Sequence, residues 1–114
     1  MLHYQKLTVW QKSTELILTI YKITENFPKR EWFGLANQIR RSSVSIASNI
    51  AEGNQRHTRP DRLHFLDIAY GSCAKVTTQL IISHKLKYIS TEEFDEAKNL
   101  CDEIGKMLNT LTKR

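Results

Sequence analysis

The chain has 114 residues and a mass of 13.3 kDa, enough for one domain with a single core. Hydrophobic residues make up 40% and charged residues 25%, which excludes a disordered chain, and no apolar run approaches the roughly 20 residues that a bilayer span needs. The net charge of +5 is lopsided: residues 1–64 carry ten Lys/Arg against five Asp/Glu, whereas residues 65–114 carry seven of each.

The stretch from Met1 to Trp10 lacks an apolar run ending in a small-residue cleavage site, so no secretory signal is expected. Cys73 and Cys101 sit in apolar periodic segments and read as small core residues rather than as a disulfide framework, which fits a cytoplasmic protein. Helix one is expected over about 8–26. It ends at Phe27-Pro28, because the residue before proline is pushed out of helical geometry. Val9, Leu16, Ile20, Ile23 and Phe27 form its main row, with Trp10, Ile17 and Tyr21 beside it.

Helix two is expected over about 32–52, with Gly53 as a left-handed stop. Its inward row reads Leu35, Ile39, Ser42, Ile46, Asn49 and Ile50. Val44, Ala47 and Ala51 lie on a back face that a lone bundle leaves wet. Helix three is expected over about 60–86, with Pro60 at its first position and Leu63, Leu66, Tyr70, Cys73, Leu80 and Ile81 as its core row. Helix four, about 91–111, opens on the capping box Ser90-Thr91-Glu92-Glu93. It carries one stripe of Phe94, Ala97, Leu100, Cys101, Ile104, Met107, Leu108 and Leu111. No segment alternates with period two. The expectation is a single all-α domain over 1–114, an antiparallel up-and-down four-helix bundle.

An isolated bundle needs one apolar stripe per helix, so the surplus on helices one to three points to a homo-oligomer, with Val44, Ala47 and Ala51 as interface candidates. The plainer alternative is scattered exposed apolar residues. Asn49 and Glu52 read as an architectural polar pair that fixes register and caps the corner between helices two and three. One carboxylate with no acid or nucleophile beside it makes a poor active site. His57, Asp61 and His64 fall at i, i+4 and i+7, but His57 precedes Pro60 and no fourth ligand accompanies them, so surface polarity is the preferred reading over a metal site. There is no phosphate-cradling glycine loop and no nucleophile elbow. No enzyme, metal or cofactor is expected.

The positive charge concentrates between Lys29 and Arg62, where six of seven cations are arginine, the side chain whose fork matches phosphate. Arg40, Arg41, Arg56, Arg59 and Arg62 are therefore the candidate nucleic-acid contacts. The stretch from Arg56 to Arg62 runs into the start of helix three, where loop arginines beside a helix N-terminus suit a phosphate. Arginines pairing with Glu52, Asp61 or a neighbouring subunit account for the same stretch equally well.

Leu7-Thr8-Val9-Trp10-Gln11-Lys12, Phe27-Pro28, Gly34-Leu35, Gln38-Ile39-Arg40-Arg41, Ser45-Ile46, Asn49-Ile50-Ala51-Glu52-Gly53, Arg56, Phe65-Leu66 and Ala69-Tyr70-Gly71-Ser72 together resemble the bacterial 23S ribosomal RNA intervening-sequence proteins. The usual family form has Ala-Arg-Gly-Ser where this chain has Ala69-Tyr70-Gly71-Ser72, which removes one helix-three arginine. The resemblance implies an antiparallel four-helix bundle, a ring-shaped homo-oligomer (a pentamer), an RNA context and no enzymatic activity. The function expected is that of a non-catalytic oligomer associated with RNA or DNA. The alternative is a scaffold that receives an acidic protein partner. No membrane partner is expected.

Overall fold

The protein, seen in a computed structural model, is described over residues 3–113; Met1 and Leu2, at the head of the stretch read for a signal, and Arg114 lie outside the described residues. A 3-10 turn at His3–Lys6 leads into α1 (Thr8–Thr24), a second at Lys29–Glu31 precedes α2 (Leu35–Asn54), and α3 (Arg59–Lys85) and α4 (Thr91–Leu111) complete the chain. The fold is all-α and up-and-down, with no strand among the described residues. Each helix packs on its two cyclic neighbours, α1 on α2 and α4, and α3 on α2 and α4. The result is a four-cornered bundle measuring 44 × 23 × 22 Å.

Leu16 and Ile20 of α1, Ile39, Ile46 and Ile50 of α2, Val76 and Leu80 of α3, and Ile104 and Leu108 of α4 are fully buried and form one core. Each such side chain contributes about 1.5–3 kcal/mol relative to exposure. Small hydroxyls share that interior. Ser13, Thr24, Ser83 and Thr112 each donate to the carbonyl four residues back, and Ser43 to the one three back. Back-bonding of this kind satisfies a buried hydroxyl without a partner helix, so the helices can come close.

The helix ends show where local chemistry prevails. The capping box of α4 forms in full: Glu93 N–H donates to Ser90 Oγ at 3.1 Å, and Ser90 N–H donates to Glu93 Oε1 at 2.9 Å. The α2 start differs from expectation. Trp32 and Phe33 lie in a turn outside the helix, because the first side-chain acceptor is Glu31, whose Oε1 takes the N–H of Leu35 at 3.3 Å. The end of α2 differs too. Gly53 lies inside the helix, not in a left-handed stop. Glycine eases a close contact there: a Cβ would lie 3.2 Å from both the Arg62 carbonyl oxygen and Phe65 Cβ. The left-handed cap falls instead at Lys87 (φ 63°), after α3. There Lys87 N–H donates to His84 and Tyr88 N–H to Ser83, the paired bonds of a Schellman motif.

The inward rows of α2 and α3 also differ. In α2 the buried residues are Ala36, Ile39, Ser43, Ile46, Ala47, Ile50 and Gly53, so Ser43 rather than Ser42 faces inward and Asn49 is only half-buried. Ala47, expected on the wet back face, is buried within the protomer. In α3 the inward positions are held by Leu63, Ala69, Ser72, Cys73, Val76, Leu80 and Ser83, while Tyr70 and Ile81 are exposed. Small residues on both helices allow α2 and α3 to pack most closely of all pairs, and that approach turns Ala47 inward.

Candidate nucleic-acid interface

The corner between α2 and α3 is built by a helix cap. Thr58 is in extended geometry and its hydroxyl accepts the Asp61 N–H at 3.3 Å, with Pro60 in the first turn, so α3 starts at a defined point. Arg59 and Arg62 fall one turn apart on that start and flank a cavity of about 240 Å³ lined by Leu7, Ile50, Leu63 and Leu66. Arg59 donates to the Lys113 carbonyl at 3.0 Å, tying the start of α3 to the end of the chain. Arg56 pairs with Glu52 at 2.9 Å, and its guanidinium lies 4.5 Å from the Phe65 ring centroid. The three arginines are exposed, Arg56 just after α2 and Arg59 and Arg62 in the first turn of α3. Glu52 and Asp61 offset part of their charge.

The other two candidate arginines are elsewhere. Helix rise places Arg40 about 20 Å from the end of α2, toward the opposite end of the bundle. Arg40 is also occupied: its Nε donates to Thr24 Oγ1 at 2.8 Å, a terminal nitrogen donates to the Tyr21 carbonyl at 3.3 Å, and the guanidinium lies 4.5 Å from the Tyr21 ring centroid. It fastens α2 to the end of α1. Arg41 is exposed on α2. The five candidates are two groups, not one patch.

The expected Asn49–Glu52 network divides as well. Asn49 Nδ2 donates to the Ser45 carbonyl at 2.8 Å and to Ser45 Oγ at 3.0 Å, and Ser45 Oγ in turn meets Ser72 Oγ across the α2–α3 contact at 3.0 Å. Glu52 faces Arg56 instead. Asn49 turns back one turn toward the N-terminus of α2 to Ser45, whereas Glu52 accepts from Arg56 one turn on, beyond the helix end. Of the interface candidates, Val44 is exposed, Ala51 half-buried and Ala47 buried.

Among the described residues no group of three or more His, Cys, Asp or Glu could hold a metal ion; His57 and His64 are exposed, and His64 stands edge-on to Phe65. Cys73 and Cys101 are free and buried beside a cavity of about 600 Å³ that Tyr70, Gly71, Asp102 and Gly105 also line. Burial pushes both thiols up from 9.0 to about 12, with each raised further by a nearby acidic group, Cys101 for Cys73 and Asp102 for Cys101. At neutral pH they are protonated, the state in which a thiol is a poor nucleophile. Tyr70, standing where the family form has arginine, extends its ring to within van der Waals reach of a Cβ at Gly105.

One surface feature was invisible to helical periodicity. Phe33 is 93% exposed and Trp32 50% exposed, at the turn before α2. With Thr24, Glu25, Ala36 and Arg40 they line a cavity of about 360 Å³. The legible signal was the aromatic pair followed directly by Gly34, the mark of a turn rather than of a helix interior.

The family model described as 23S rRNA-intervening sequence protein matches residues 5–110. The chain belongs to that family. A solved structure from Bacteroides thetaiotaomicron VPI-5482, described as a protein with unknown function from the S23 ribosomal protein family, is similar to the chain throughout. Its identity is 31% and its TM-score 0.85, over 94% of this chain and 100% of that one. No curated protein matches the chain. Membership of the 23S rRNA-intervening sequence family agrees with the observed bundle. No described helix is long and apolar enough to cross a membrane.

Proposed function

We propose that this chain is a non-catalytic, homo-oligomeric cytoplasmic bundle that binds RNA through the corner formed by Arg56, Arg59 and Arg62. What supports the reading is that three arginines around the start of α3 are exposed, in a chain whose family is described by ribosomal RNA. Contacts of this kind address phosphates and therefore bind without strong sequence preference. A single corner with a small charge surplus binds weakly, and repetition around an oligomer raises its avidity.

The apolar surplus that supports assembly lies chiefly on α3. Ile68, Ile82 and Leu86 are exposed along one flank of α3 and Tyr70 and Ile81 along the other, and a Cβ on Gly71 would meet nothing within 4 Å. The flank of α3 that carries Ile68, Ile82 and Leu86 is a better interface candidate than the buried Ala47. Replacing Ile82 with arginine tests it: light scattering should show a loss of mass with helicity retained. For the binding itself, fluorescence anisotropy of the intact protein with RNA and DNA at rising salt is the direct test. Affinity that falls steeply with salt supports the reading. No affinity at low salt overturns it in favour of a protein-binding scaffold.

A further inference from the structure

The turn at Trp32 and Phe33 combines features that a packing role does not explain. Phe33 is 93% exposed, so its ring contributes almost nothing to the protomer core. The ring stands on a held backbone, since Glu31 accepts the Leu35 N–H and is itself fixed by the Tyr88 hydroxyl at 3.0 Å. Beside it the cavity of about 360 Å³ lies within the roughly 300–1,000 Å³ range of ligand sites. Its walls differ in chemistry: two aromatic rings, the guanidinium of Arg40, and the carboxylate-bearing Glu25. Arg40 is pre-positioned by Thr24 and Tyr21, so no rotamer freedom is lost when a ligand meets it.

The charge of the segment that builds the turn favours an anionic occupant. Residues 22–41 carry five cations (Lys22, Lys29, Arg30, Arg40 and Arg41) against two carboxylates, Glu25 and Glu31, of which Glu31 is already bonded. Lys29 lies 5.9 Å from the Trp32 ring centroid, and Arg30 the same distance from that of Tyr88. Exposed rings interleaved with cations form the stacking platform that unpaired nucleotides use, with phosphates tracking the cations and bases lying on the rings. A subunit interface would instead deplete charge at its centre.

We infer that the Trp32–Phe33 turn is a second nucleic-acid site, one that takes an unpaired base of single-stranded RNA, with Arg40 and the neighbouring cations on the phosphates and Glu25 accepting an exocyclic amino group. This rests on the RNA-binding reading and adds to it the kind of RNA recognised. The corner at the far end of the bundle grips phosphates of either a strand or a duplex, whereas this turn requires bases that are free to unstack.

The test uses the full chain and fluorescein-labelled oligo(C), oligo(U) and duplex RNA of equal length. Phe33→Ala should weaken oligo(C) and oligo(U) binding about tenfold, the loss typical of one stacked base. The salt dependence should be unchanged, because no charge is removed, and duplex binding should be unaffected. Glu25→Ala, which removes the acceptor, should erase a preference for oligo(C) over oligo(U), since cytosine alone of the two offers an amino group. Phe33 is solvent-exposed, so the variant keeps the fold. A Phe33→Ala protein that binds single strands as the parent does overturns the inference and leaves the corner site standing. A Phe33→Ala protein of lower mass in light scattering also overturns it, by assigning the turn to a second copy of the chain. A parent that binds no nucleic acid removes both sites.

Discussion

Ser45 on α2 and Ser72 on α3 meet hydroxyl to hydroxyl at 3.0 Å, at the closest of the four helix contacts. Asn49 donates to the same Ser45 oxygen, so the Ser45 proton is free to point at Ser72. Ser45→Ala therefore removes two links at once and should cost about 1 kcal/mol. Ser72→Ala added to Ser45→Ala should cost little more. Urea denaturation of the two single variants and the double checks this, and strictly additive losses would show that the hydroxyls act separately.

Gly53 sits against Arg62 and Phe65, and the nearest atom includes a backbone oxygen that cannot rotate away. Gly53→Ala should destabilise the bundle by about 1 kcal/mol, even though alanine is the better helix former by a similar amount. Gly71→Ala, with open space around it, should stabilise the protomer by up to about 1 kcal/mol. Thermal melts of the two variants should move in opposite directions.

Lys87 is the one described non-glycine residue with positive φ, at 63°. Lys87→Gly should raise stability by about 1 kcal/mol, because the left-handed region costs glycine nothing while the Schellman bonds remain. A lower melting temperature would mean that the lysine side chain contributes more than its backbone strain removes.

The thiols give a pH dependence of known sign. Cys73 and Cys101 are raised to about 12 in the fold against 9.0 for a free thiol, so between those values the folded state holds protons that the unfolded state has lost. Their contribution is intact below pH 9.0 and is lost as pH rises toward 12. Replacing both with alanine should lessen the alkaline fall in stability while creating cavities that lower stability at pH 7. Iodoacetamide should label the native protein at pH 8 far more slowly than the urea-unfolded chain.

The fold was legible because its strongest signals are local. The Ser90–Glu93 box and Pro60 act within one turn of their own helix and lie at its start, while α1 ends at Thr24, two residues before the end expected from Phe27-Pro28. The facing of α2 and α3 was less legible, because periodicity weighs side chains by hydrophobicity whereas this interface selects by size. Ser43, Ala47, Gly53 and Ser72 face inward since they let two backbones approach, and an apolar stripe does not reveal that. The candidate site was legible in part. Arg56, Arg59 and Arg62 are close in sequence around one helix start, but the end of the bundle on which a distant pair such as Arg40 and Arg41 falls follows from helix length. Trp32 and Phe33 were absorbed into a helix that in fact starts at Leu35, because the acceptor that starts it, Glu31, is a side chain on the preceding 3-10 turn.

The central claim is that the Arg56–Arg59–Arg62 corner meets phosphates, and the salt dependence of RNA binding tests it most directly. The triple variant to alanine should stay folded, because exposed ion pairs such as Arg56–Glu52 contribute under about 1 kcal/mol each. A plot of log affinity against log salt should flatten by roughly one unit for each phosphate that the variant no longer neutralises, about equally for unrelated RNA sequences. A triple variant with the parent's affinity and the parent's slope would contradict the account and remove this corner from the site.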